Sequence, residues 1–328
     1  MNSAVLSPYH LTTREAPAMA ALLLAGKVCT LLPVPLQGES RDAVAEALEH
    51  APRYRRLLNN WLTLAPLFDT GVITTIADAD DPVAQVRAAA DRIGSEAPWH
   101  PLRPFNRQEI FSDTEQYLDT FAADLLKGGP DPGIALPACA GLDAFAVEHA
   151  LPVFRAGHAA RPVAGGARSV NVDGGSLAQQ VEARLGEQLF SVGLPILKQA
   201  GARALISARA ALKQQLSALR NAVEAATFHP TAASARETRA AGAAYGAAFK
   251  QVMAGRLNKD DEGGRRLTSA FVSLAARRLS PDAALISSVA AFNRASGEAA
   301  RPLTGLAESG PDSSLVTLTV TVLDVEPL

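Results

Sequence analysis

Between Ser176 and Ala226, apolar residues recur at spacings of three and four, and this stretch constrains the fold of the 328-residue chain more than any other. Gly174-Gly175 precedes Ser176, and Gln179 follows three residues later, the S-x-x-Q spacing of a helix-opening capping box. Leu177, Val181, Leu185, Leu189, Val192 and Ile196 then fall on one helical face. Gly193 and Pro195 interrupt it, because proline cannot donate to the carbonyl four residues back, so a kink or two consecutive helices is expected there. Beyond the break the stripe resumes as Leu205, Ala208, Leu212, Leu216, Leu219, Val223 and Ala226. Beside it runs an arc of small residues, Ala204, Ala211, Ala218 and Ala222, which predicts a helix packed against two neighbours.

Composition separates the chain into two halves of opposite sign. Residues 1–164 hold 13 Lys/Arg against 19 Asp/Glu, and residues 165–328 hold 18 against 14. Apolar residues make up 48% of the chain and charged residues 20%, as in an ordinary globular protein, while aromatics at 5% leave the core to Ala, Leu and Val. The 25 arginines against 6 lysines, with abundant Ala and Gly, point to a GC-rich bacterial genome. Cys29 and Cys139 cannot make a disulfide framework, and no signal peptide or membrane-length apolar run is visible, which predicts a soluble cytoplasmic protein.

Along the chain, helices are expected over 12–25, over 40–50, around Tyr54 to Ala65, from Pro82, from Asn106 to Leu125 and over 138–150. Further helices are expected over 234–257 and from Pro281 to Asn293. Short strands are expected at Lys27–Leu32, Gly71–Ile76, Ile134–Leu136 and Leu151–Arg155. Leu267–Leu279 reads as a strand, and the alternation of Val316, Leu318, Val320 and Val322 with Thr317, Thr319 and Thr321 is the clearest strand signal in the chain. Gly242-x-x-x-Gly246 marks close helix contact. The expected class is therefore α+β and helix-dominated, with a bundle-like C-terminal half ending in a strand and an N-terminal half of helices with short strands. The expected division is an acidic region 1–156, a Gly-rich loop 157–175 and a basic region 176–328.

Candidate chemistry is sparse. The six histidines show no metal-binding spacing, Asp78, Asp80 and Asp81 read as a loop and helix cap, and no metal or cofactor is expected. No phosphate-binding glycine loop or nucleophile elbow is present. If Pro137 opens a helix, Cys139 lies in its first turn, where the dipole lowers a thiol pKa, and His158 is the base that could serve it. Arg168, with Arg155, Arg161 and the nearby glycine pairs, could hold an anion at the Ser176 helix start. Residues 198–258 carry nine Lys/Arg against two Asp/Glu, and Arg209, Lys213 and Arg220 share one helix face. That face is expected to meet something acidic, the N-terminal half of the same chain being the nearest candidate, ahead of nucleic acid. These features favour a non-catalytic binding or assembly protein acting through helical faces, with a protein partner or second copy. The alternatives are a cysteine-dependent hydrolase at Cys139 and an anion- or nucleic-acid-binding protein.

Overall fold

The computed structural model describes residues 1–31, 52–75, 82–96, 99, 102–103, 106–112, 114–127, 131–157, 187–257, 267–285 and 314–324. The expected helix over 40–50, the start at Ser176 with Leu177, Val181 and Leu185, and the loop 158–175 lie outside these residues.

Strand β1 (Ser3–Leu6) leads through α1 (Pro8–Thr13) and α2 (Ala16–Leu24) to β2 (Lys27–Thr30). Helices α3 (Pro52–Trp61) and α4 (Ala65–Asp69) precede β3 (Ile73–Thr75). Three helices follow, α5 (Pro82–Ser95), α6 (Thr114–Lys127) and α7 (Pro132–Glu148), and then β4 (Val153–Ala156). The remainder is β5 (Glu187–Leu197), α8 (Ala202–Ala211), α9 (Lys213–Phe228), α10 (Ala232–Leu257), β6 (Ser269–Leu279) and β7 (Leu315–Asp324). The seven strands form one sheet in the order β3-β2-β1-β4-β7-β6-β5. The β3-β2-β1-β4-β7 part is parallel, and β6 and β5 extend it antiparallel. The class is mixed α+β and helix-dominated, as the sequence predicts.

An interior position in the sheet explains why β1 has no sequence signal. Ala4, Val5 and Leu6 are all fully buried, so the strand shows no alternation, as parallel strands covered on both faces do not. Helix α2 is buried in the same way from Ala18 to Leu24, with Pro17 in its first turn. One apolar core runs from Met1 and Val5 through Phe154 to Leu274 and Val320, so both halves of the chain fill it. The charge boundary near residue 157 does not coincide with a break in the sheet, because β4 pairs with β7 from Val153↔Thr317 to Ala156↔Val320. Gly157 continues that pairing, its N–H donating to Val320 O at 2.7 Å. A Cβ there would meet Thr321 Oγ1, so only glycine fits.

Several expectations are corrected. Residues 187–197 are strand β5, not helix, and pair with β6 from Glu187↔Arg278 to Leu197↔Ser269. Leu189, Val192 and Ile196 satisfy the helical spacing, but Phe190, Val192, Leu194 and Ile196 satisfy the strand period as well, and glycine and proline decide for an edge strand. Ile134–Leu136 is helical, because α7 opens at Pro132 and carries Pro137 in its interior. Asp131 caps it, its Oδ1 accepting from Gly133 N at 2.8 Å. The helix expected from Asn106 starts later, at Thr114, after a 3-10 turn over Gln108–Ser112. The cap of α10 is Thr231 in place of Ser234: Thr231 Oγ1 accepts from Ser234 N at 3.0 Å, and Ser234 Oγ accepts from Thr231 N at 2.9 Å.

The stripe from Leu205 to Ala226 is borne out, since all seven of its residues are buried, on α8, α9 and the Leu212 junction between them. Of the small-residue arc, Ala211 and Ala218 face solvent. Among the described residues, no helix is long and apolar enough to cross a membrane.

Candidate functional site

Strand order reverses direction between β1 and β4, which lie side by side with Leu6 paired to Phe154. In open sheets with parallel strands, the carboxyl ends at such a reversal border the crevice where ligands bind. Near this point stand Ser7, directly after β1, and Arg155, near the end of β4. On β4, Arg155 shares a face with Val153, opposite Phe154.

A lone cation in an apolar strand requires a partner, and α7 supplies it. Arg155 donates through Nη2 to both carboxylate oxygens of Asp143, which is 2% exposed, and through Nη1 to Ala284 O at 3.3 Å. Burial pushes the Asp143 carboxyl up and the guanidinium opposes that shift. The pair thereby ties the end of β4 to α7 and to the helical turn at 281–285. Ser280 caps that turn, accepting from Ala283 N at 3.1 Å.

Beside this ion pair, α5 and α7 cross closely and then part. At the crossing a Cβ on Gly141 would lie 3.1 Å from Val86 N. Next to it opens a cleft of about 470 Å³, lined from α5, α7, Trp99 and the 281–285 turn, with Asp143 in its wall. Its volume lies within the range of small-molecule sites. Ile93, Trp99 and Leu285 also belong to a small apolar cluster of their own, apart from the main core. Arg92 reaches Glu96 at 3.1 Å, and its guanidinium lies 5.5 Å over the Trp99 ring. Gln85 donates to Glu148 at 3.4 Å on the rim.

A second polar group is buried between α1, α6 and α7. The Tyr9 hydroxyl faces the Asp124 carboxyl, and Asp124 Oδ1 accepts from Asp131 N at 2.5 Å. Burial raises Asp124 from 3.8 to about 6. Burial raises the Tyr9 and Tyr117 hydroxyls as well.

The proposed nucleophile Cys139 lies near these groups, with Ser7 hydrogen-bonding to its thiol and Arg155 lending a positive field. Because α7 begins at Pro132, however, Cys139 is two turns into the helix and away from the dipole's positive end. Burial outweighs the other effects and pushes the thiol up to about 12, so it is not a thiolate at neutral pH. His158 and Arg168 lie outside the described residues. Of the described histidines, His10 pairs with Glu15 at 2.8 Å and the ring of His149 packs on Phe145. Among the described residues no three His, Cys, Asp or Glu converge as metal ligands.

The basic face meets the N-terminal half of the chain, though through carbonyls. Arg209 donates to Leu22 O, Ala25 O and Gly26 O at 2.6–2.8 Å, and Arg220 to Leu24 O at 2.7 Å and Ala25 O at 3.1 Å. Together they close the buried C-terminal end of α2, where orphan carbonyls and the negative end of the dipole require donors. Lys213 stays exposed and is not part of this arrangement.

Sequence reasoning missed Asp143, Trp99 and the cleft. A signal was present for the ion pair: Asp143 is the lone acid in the apolar stretch from Ile134 to Val147, and Arg155 the lone cation in Leu151–Ala156. No protein family, no curated protein and no solved structure matches the chain.

Proposed function

We propose that the protein is a non-catalytic binder of a small, largely apolar molecule, held in the cleft between α5 and α7. The observation that carries this reading is the cleft itself, about 470 Å³ with Trp99 and aliphatic side chains in its wall and the Asp143–Arg155 pair beside it. The helical stripe over α8 and α9 packs within the chain's own core, so the cleft serves as the binding element in place of a helical face. A raised thiol at Cys139 favours binding over cysteine-dependent hydrolysis.

Saturation-transfer NMR with a panel of aryl-alkyl fragments tests this, with Ala144→Phe as the control. Ala144 is solvent-facing in the cleft wall, so the larger side chain fills the space without entering the core. Binding by the wild type and its loss in a variant of unchanged thermal midpoint is the expected result. Fragments that bind both proteins equally, or neither, would refute the assignment.

A further inference from the structure

Resting on the cleft as the binding site, we infer that its ligand carries a cationic amine on an apolar body. The charges around the cleft decide this. Arg155 is closed on Asp143, and Arg92 is closed on Glu96 while covering the Trp99 ring. Among the described residues that leaves two carboxylates in the lining, Glu148 and Asp282, one on α7 and one on the 281–285 turn. Among the described residues neither pairs with a cation, and the one hydrogen bond to either comes from the neutral Gln85 amide.

Apart from Gln85, the remaining lining among the described residues is aliphatic or aromatic, including Ala88, Ile93, Trp99, Val147 and Leu285. An anionic ligand would meet two carboxylates with both nearby arginines already engaged. A neutral ligand would use the apolar wall alone. A protonated amine on an aryl or alkyl body uses both, its body against Trp99 and its head towards Glu148 and Asp282.

Three probes with the same body separate these cases: 4-phenylbutylamine, 4-phenylbutanol and 4-phenylbutyrate, titrated by NMR at neutral pH and low salt. The amine is expected to bind about tenfold more tightly than the alcohol, from one charge–charge attraction at a solvated rim, and the carboxylate more weakly than either. Added salt is expected to narrow the gap. In the double variant Glu148→Gln, Asp282→Asn, amine and alcohol are expected to bind alike, with the alcohol's affinity unchanged. Equal binding of amine and alcohol to the wild type, or preference for the carboxylate, would overturn the charge inference and leave the cleft assignment intact. Failure of all three probes, the neutral alcohol included, would instead remove the cleft assignment and this inference with it.

Discussion

Arg209 sits where a buried helix runs out of donors, and its planar fork serves three carbonyls that nothing else could reach together. Replacing it with methionine removes this donor from Leu22 O and Gly26 O and leaves Ala25 O to Arg220 alone, and the expected loss is about 2–4 kcal/mol in urea denaturation. Arg209→Lys keeps the charge but not the fork, and is expected to recover less than half of that loss. Full recovery by lysine would mean that charge alone closes the helix. Asp124 makes the opposite kind of contribution. Its folded pKa is raised from 3.8 to about 6 by burial, so the native state binds this proton more tightly than the unfolded chain does. The resulting stabilisation is complete below the unfolded value and is lost as pH rises through about 6. Asp124→Asn, which imitates the protonated form, is therefore expected to be more stable than wild type at pH 7, by on the order of 2 kcal/mol. The difference should close by pH 4, and a gap independent of pH would show that Asp124 does not titrate as described. Neither role was visible in the sequence, where spacing placed Arg209 on a basic face but could not say that carbonyls, not acids, would meet it.

Elements whose burial follows a single face were legible, and those buried on both faces or split between two periods were not. The threonine–aliphatic alternation of β7 and the stripe over α8 and α9 are of the first kind. Strand β1 and helix α2 are of the second, uniformly apolar because layers cover them all round. β5 fits both periods, and its glycine and proline are as compatible with an interrupted helix as with an edge strand. The same ambiguity affects Gly242 and Gly246, whose spacing suggests two helices in contact but which lie against β5. A Cβ on Gly242 would stand 2.4 Å from Val192 Cγ2, whereas one on Gly246 would stand 3.6 Å from Pro195 Cδ, an ordinary contact. Two alanine substitutions four residues apart should therefore differ in sign. Gly246→Ala is expected to stabilise by up to about 1 kcal/mol through helix propensity. Gly242→Ala is expected to destabilise by about 1–3 kcal/mol, because valine is branched and cannot swing away. Thermal midpoints that move in the same direction for both would contradict the packing of α10 on β5.

At the scale of the whole molecule, the charge difference between the halves is a difference of composition and not of folding unit. β1, β4 and β7 are consecutive in the sheet, though more than 300 residues separate the first from the last in sequence. Pairing at such distances leaves no periodic mark, which is why the chain could be divided near residue 157 on charge while its core crosses that point. The cleft was hidden for the same reason, since its walls come from α5, α7 and the 281–285 turn, and only folding brings residue 282 to residue 148. These connections predict what cutting the chain would do. A fragment of residues 1–186 keeps β3-β2-β1-β4 but loses β7 beside β4, exposing Val153 and Phe154 at a new edge. It also loses Arg209 and Arg220 from the end of α2. A fragment of residues 187–328 keeps the antiparallel strands but strips α2 from the apolar face that it shares with α8. Net stabilities of about 5–15 kcal/mol cannot absorb losses of this size, so neither fragment is expected to fold alone. Circular dichroism should show broad, non-cooperative melting for each, and a sharp transition in the intact chain reported alike by tryptophan fluorescence and by backbone signal. A sharp melt in either isolated fragment would establish it as an independent domain and overturn the single-core description.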